Sequence, residues 1–221
     1  MKAPLRSGIS RKPASVLAKV AKTSSARKPA KAATPATPSI HAGVVLGLAL
    51  TNKGATVATA ECLPLAGRGK IILTGNLVGS ARDAAHLAAS LARARAKTLG
   101  LDHTLFLHTD LHFHVMDPLP QKGGPSIGLP MFVALVSALT RKPIDPTFAF
   151  TGELSLTGKV YAVEGLEAKI KAAARAGVTQ LFAPMENVAE LNGKKLPKGL
   201  VLVGIKTVDE TLSITVGVKA P

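Results

Sequence analysis

The segment Gly123-Gly124-Pro125-Ser126-Ile127-Gly128 places a hydroxyl where the chain must turn tightly before an apolar helix. A helix starting there points free backbone N–H groups outward. Those donors, with the positive end of the helix dipole, suit an anion or a developing oxyanion. Ser126 at this turn fits a nucleophile, and it also fits a plain helix N-cap. A nucleophilic serine needs a base. His103, His108, His112 and His114 are candidates, and a lysine serves if it is uncharged. An ordinary lysine titrates near 10.4, so only about one in a thousand is neutral at pH 7.4. Lowering that value by ~3 units takes ~4 kcal/mol of bias against the charged form, which apolar burial can supply. Lys169 is the lysine to consider. On a helix over 165–176, Leu166, Ile170 and Ala173 share one face, and Lys169 falls roughly 70° from its centre. Glu164, Glu167, Lys171 and Arg175 lie on the other side. Lys169 therefore sits at the margin of a buried face. A stem laid on the core with its amine in solvent fits the same position.

Several elements must position these groups. Short strands are expected over Val44–Leu50, Ala55–Cys62, Lys70–Thr74 and Leu111–Met116, from their β-branched content and bounding turns. The clearest amphipathic helix spans 80–98, with Ala84, Leu87, Leu91 and Ala94 at helical spacing and Gly100 beyond its end. Residues 126–140 read as a buried helix. Phe148–Thr151 and Leu154–Val163 read as a hairpin around Gly152-Glu153. The 165–176 helix, closed by Gly177, precedes a strand at 179–183, a short helix at 186–191, a strand at 200–205 and a helix near 208–214. Strands and helices are mixed, so the class is α+β or mixed α/β.

Composition narrows the function classes. The 221 residues are 47% apolar, enough for a core, and carry one cysteine, Cys62. That excludes an internal disulfide and a cysteine metal cluster. Six Phe, one Tyr and no Trp argue against a base- or sugar-stacking site. No apolar run reaches the ~18 residues of a membrane span. The formal charge is +15, from 28 Lys and Arg against 13 Asp and Glu. Residues 1–40 hold Lys2, Arg6, Arg11, Lys12, Lys19, Lys22, Arg27, Lys28 and Lys31 and no acid; the first acidic residue is Glu61. Rich otherwise in Ala, Pro, Ser and Thr, residues 1–40 are expected to form a disordered basic tail. Non-specific polyanion contact, an organelle transit peptide, a tether to an acidic protein and a solubilising linker all fit that composition.

From about Ile40 to Gly217 the chain resembles the proteolytic domain of Lon proteases. Gly-Gly-Pro-Ser126-Ile-Gly looks like the family's nucleophile segment, and Phe132 to Thr140 like the helix after it. Thr151-Gly-Glu-Leu-Ser-Leu-Thr-Gly-Lys-Val160 resembles its Thr-Gly-Glu hairpin. Glu164-Gly-Leu-Glu-Ala-Lys169 through Gly177 resembles the helix that carries its catalytic lysine. Gly43–Thr51, Ala60-Glu61, Gly69–Gly75 and Asp110-Leu-His-Phe-His-Val115 extend the likeness through the first half. The resemblance implies the Lon proteolytic-domain fold, related to the ribosomal protein S5 domain 2-like class, over 41–221.

It also implies a serine endopeptidase with Ser126 as nucleophile and Lys169 as general base. Thr151 would hydrogen-bond the lysine, Glu61 and Glu153 would lie near the site, and His112 and His114 would flank it. Gly124, Pro125 and Ile127 would shape the oxyanion turn. Two histidines at i and i+2 share a strand face and could ligate a metal, but no third ligand stands at fixed spacing, so neither metal nor cofactor is expected. Four departures stand out: Gly123 where the family usually has Asp, the loop Met116-Asp-Pro-Leu-Pro-Gln-Lys122 before it, Leu50 where the family has Trp, and Pro130 in the first turns of the serine helix. No Gly-x4-Gly-Lys-Ser/Thr phosphate loop is present, so hydrolysis of unfolded or exposed segments without ATP is expected. A hexameric ring is a family expectation; the family's ATPase module lies on the same chain, so here a separate ATPase is a candidate partner; a cytoplasmic site is expected, with an organelle matrix or a virion as alternatives. Two other functions compete: a non-catalytic assembly or polyanion-binding platform, and a limited processing protease of a virus-like assembly.

Overall fold

The computed structural model describes residues 41–51, 54–116 and 124–217; the tail over 1–40 and the loop holding Gly123 lie outside them. The elements in chain order are β1 (Val44–Thr51), β2 (Gly54–Ala66), β3 (Ile71–Thr74), α1 (Ser80–Ala94), β4 (Thr109–Met116), α2 (Gly128–Thr140), β5 (Phe148–Phe150), β6 (Glu153–Leu154), β7 (Val160–Tyr161), α3 (Leu166–Arg175), β8 (Gln180–Pro184), α4 (Met185–Glu190), β9 (Val201–Ile205) and α5 (Val208–Thr215). Two 3-10 turns, His103–Leu107 and Pro125–Ile127, precede β4 and α2.

Seven strands form one mixed sheet in the order β3-β4-β2-β1-β5-β8-β9. β1 and β2 are antiparallel with Val44 opposite Glu61, and β2 and β4 are antiparallel with Glu61 opposite His114. The remaining contacts in this sheet are parallel. Period-2 alternation sets the faces. On β2, Ala58, Ala60 and Cys62 point into the larger core, as do Leu111, Phe113 and Val115 of β4; α1, α2 and α5 contribute Ala85, Leu135 and Leu212 to the same core. On the other face Leu46, Leu48 and Ala149 pack with Leu166 and Ile170 of α3. β1 is thus buried on both sides. Gly47 is needed there, since a Cβ would stand 2.9 Å from Ile127 Cδ1 and 3.1 Å from Pro130 Cγ.

Three sequence expectations need correction. The helix over 80–98 ends at Ala94, and residues 95–100 form turns. Phe148–Phe150 is not an arm of a hairpin but a central parallel strand between β1 and β8. The hairpin pairs Glu153 with Tyr161 and Leu154 with Val160, so Gly152 precedes it rather than turning it. Three-residue β5 is too short for its periodicity to separate strand from hairpin arm; its neighbours decide.

Candidate active site

Ser126 is the middle residue of the 3-10 turn, half-buried, after Gly124 in extended backbone (φ −81°, ψ 144°) and Pro125. Pro125 holds the first position of the turn, where its missing N–H costs nothing. Ile127 is buried and drives its side chain toward Gly47 of β1, anchoring the turn to the sheet. Ser126 is not an N-cap: neither the turn nor α2 has a side-chain cap hydrogen bond. Pro130 stands in the first turn of α2 and packs over Gly47, where a lost donor is tolerated.

Lys169 is 1% exposed, among the largest fully buried side chains. This corrects the marginal placement expected from the helical wheel. The face of α3 that packs inward is broad, taking in Leu166, Lys169, Ile170, Ala172 and Ala173. The Lys169 Nζ donates a 3.0 Å hydrogen bond to Thr151 Oγ1, and Thr151 is itself fully buried. Burial pushes the Lys169 ammonium down to about 8, against the Glu164 carboxylate, which favours the charged form. At pH 7.4 a group titrating at 8 is about one-fifth neutral, against roughly one in a thousand for an ordinary lysine.

One short segment ties the two residues together. The Gly152 N–H donates to the Ser126 carbonyl at 3.0 Å, and the Leu129 N–H donates to the Gly152 carbonyl at 3.1 Å. The Thr151 N–H donates to the Phe182 carbonyl of β8 at 3.0 Å. Thr151 thus meets the lysine through its side chain while its neighbour grips the serine turn through its backbone. A Cβ at Gly152 would stand 2.6 Å from Val160 Cγ1, so the segment is pinned from the β7 side as well.

The other expected site residues divide. His112 and His114 project from one face of β4, and both rings hydrogen-bond Thr74 Oγ1, at 3.0 Å through Nε2 and 2.7 Å through Nδ1. Glu61 is half-buried and opposite His114 on the same face. Glu153 is exposed, one residue past Gly152. Among the described residues no group of three His, Cys, Asp or Glu gathers as a metal site would require. Cys62 is no rival nucleophile, because burial raises its thiol to about 12.

Sequence reasoning missed three residues. Thr74 joins the two histidines through register alone. Glu164 acts on Lys169 electrostatically. Asn187 of α4, 7% exposed, accepts from the Val163 N–H at 2.7 Å and so holds the chain entering α3. Only Glu164, five residues before Lys169, had a local sequence signal.

The Lon protease (S16) C-terminal proteolytic domain matches residues 27–217. The chain belongs to the Lon protease family. It is 38% identical to the Lon protease of Cytophaga hutchinsonii over 175 residues, 78% of this chain and 22% of that protein. It is 39% identical to Lon protease 1 of Myxococcus xanthus over 172 residues, 77% of this chain and 21% of the relative. The Lon protease of Haemophilus influenzae is 38% identical over a similar span. The chain thus spans about a fifth of the length of these Lon relatives. Among the described residues no helix is long and apolar enough to cross a membrane.

Within this Lon domain, Thr151→Val tests the lysine's partner. Valine keeps the shape but removes the oxygen, so the amine loses its 3.0 Å acceptor. If the Lys169 amine serves as a base, peptide hydrolysis is expected to fall about 10- to 100-fold, from its misplacement. The Tm should move by only a few degrees. A rate within twofold of the unmodified protein, from steady-state hydrolysis of a fluorogenic peptide, would remove Thr151 from the site.

Proposed function

We propose that this domain is a Ser-Lys endopeptidase that hydrolyses peptide bonds in unfolded or exposed polypeptide segments, and that its chemistry needs no nucleotide. Neutral Lys169 takes the Ser126 hydroxyl proton as the oxygen attacks the scissile carbonyl. The tetrahedral oxyanion is met by backbone N–H groups of the Gly124–Ile127 turn. The resulting ammonium protonates the leaving amine, which departs as the acyl-enzyme forms. Lys169 then deprotonates a water that hydrolyses the ester, returning the Ser126 hydroxyl. Thr151 orients the amine throughout.

The observation that carries this reading is the fully buried Lys169 amine on the Thr151 hydroxyl, one residue from the amide that holds the Ser126 carbonyl. A structural role alone gives no reason to desolvate an ammonium that finds no carboxylate within salt-bridge distance among the described residues. The test is hydrolysis of an unfolded fluorogenic protein with and without ATP. Equal rates in both are expected. A strict requirement for ATP, or no hydrolysis in either, would overturn the proposal.

A further inference from the structure

We propose that the cavity between the β3–α1 loop and the start of α1 is a subsite for acidic side chains of the polypeptide substrate, with the Arg82 guanidinium as its counter-charge. The proposal rests on the peptidase reading above and adds a substrate preference to it.

The cavity, ≈ 600 Å³, is lined by Leu73 to Val78 and by Arg82, its sole charged residue among the described ones. Backbone geometry opens it. Gly75 takes φ +88°, and a Cβ there would stand 2.3 Å from the Val115 carbonyl oxygen, so the loop leaves the sheet at the closest approach a backbone allows. Asn76 follows at φ +58°, a left-handed conformation that costs a non-glycine residue about 1 kcal/mol. The loop arches away from β3 and returns at Gly79 to start α1.

Two observations place this cavity beside the nucleophile. β3 and β4 are parallel, with Thr74 opposite His114, so the cavity lies at the end of the sheet where β4 finishes at Met116. The first turns of α1 also pack under the start of α2: the position of a Gly128 Cβ is 3.6 Å from Ala84 Cβ. A polypeptide lying across Ser126 therefore has this cavity within a few residues' reach.

The chemistry selects the guest. Other cations near the helices are engaged: Arg95 bonds both oxygens of Asp209, Lys194 pairs with Glu167, and Arg93 lies over the Phe106 ring. The Arg82 guanidinium has no ion pair or hydrogen bond among the described residues, and the residue is exposed. Its fork of N–H donors matches a carboxylate in two-point contact. The Thr74 hydroxyl on the cavity wall is held by two imidazoles, so the wall next to the guest is polar and contributes no negative charge.

The test uses fluorescein-labelled short peptides that differ only in one residue, Glu or Gln, moved along an Ala-Leu background. Anisotropy gives affinity and product release gives kcat/KM, at low salt and at physiological salt. The Glu peptide is expected to bind about tenfold more tightly at the best position, as a charge-assisted contact supplies. The preference should shrink with salt, vanish in Arg82→Gln and turn toward a Lys peptide in Arg82→Glu. Equal binding of Glu and Gln peptides at every position, or a preference that survives Arg82→Gln, overturns the subsite. A Glu preference without any cleavage leaves the subsite standing and removes the peptidase reading instead.

Discussion

Ser126→Ala is expected to reduce peptide hydrolysis by about four orders of magnitude or more, to the level set by binding and the oxyanion donors alone. On the proposed mechanism this removes the nucleophile, and among the described residues Cys62 does not replace it, being buried and held protonated. The substitution should leave the fold untouched. Ser126 is half-buried, and among the described residues its hydroxyl bonds no other group; what ties the turn down is its backbone carbonyl, on the Gly152 amide. Deleting one hydroxyl that has no partner among the described residues changes stability by only a few tenths of a kcal/mol. Hydrolysis and thermal denaturation measured on the same preparation decide the matter. A variant that retains a tenth of the rate would show that the nucleophile is elsewhere.

Lys169→Met should abolish hydrolysis to a similar extent and stabilise the protein at pH 7. The sign follows from the buried amine. Its folded-state value is about 8, below the ordinary 10.5, so the unfolded chain binds the extra proton between those values. Stability therefore rises with pH from about 8 to 10.5, and below 8 the full cost of burying the charge is present. At 1.36 kcal/mol per unit that cost is about 3 kcal/mol. Methionine removes it, keeps the volume, and leaves the Thr151 hydroxyl without its donor, an opposing cost of about 1 kcal/mol. The net expectation is a gain of about 2 kcal/mol, read as a higher denaturant midpoint at pH 7 that fades toward pH 10.

The same titration sets the activity profile of the unmodified protein. On the proposed mechanism the neutral amine is the base, so kcat/KM should climb about tenfold per pH unit below 8 and level off above it. A profile that is flat or falls between pH 6 and 8 is incompatible with a lysine base. A Lys169→Met variant less stable than the parent at pH 7 would mean that the amine is not buried as a strained charge.

Much of the frame was legible from local pattern. The serine turn, the α3 stripe of Leu166, Ile170 and Ala173, and the alternation of β4 all appear as expected, because each depends on residues within one or two turns of each other. β5 and the hairpin after Gly152 did not, since two or three residues carry no period of their own and their partners are distant in sequence. The basic tail over 1–40 and Gly123 belong to segments outside the described residues.

The order of residues alone set which chemistry was available: a hydroxyl at a glycine-proline turn, a lysine at the edge of an apolar helix face, and two histidines in phase on one strand. Those are properties of residue type and short spacing. It took the folded chain to make Lys169 dry, to bring its amine to Thr151, to hold the serine turn on Gly152 and to bridge the histidines through Thr74. Desolvation depends on what covers a side chain, and here the cover comes from elements packed together from distant parts of the chain. A helical wheel weighs one helix against a featureless interior, so it could bring Lys169 to the margin and no further.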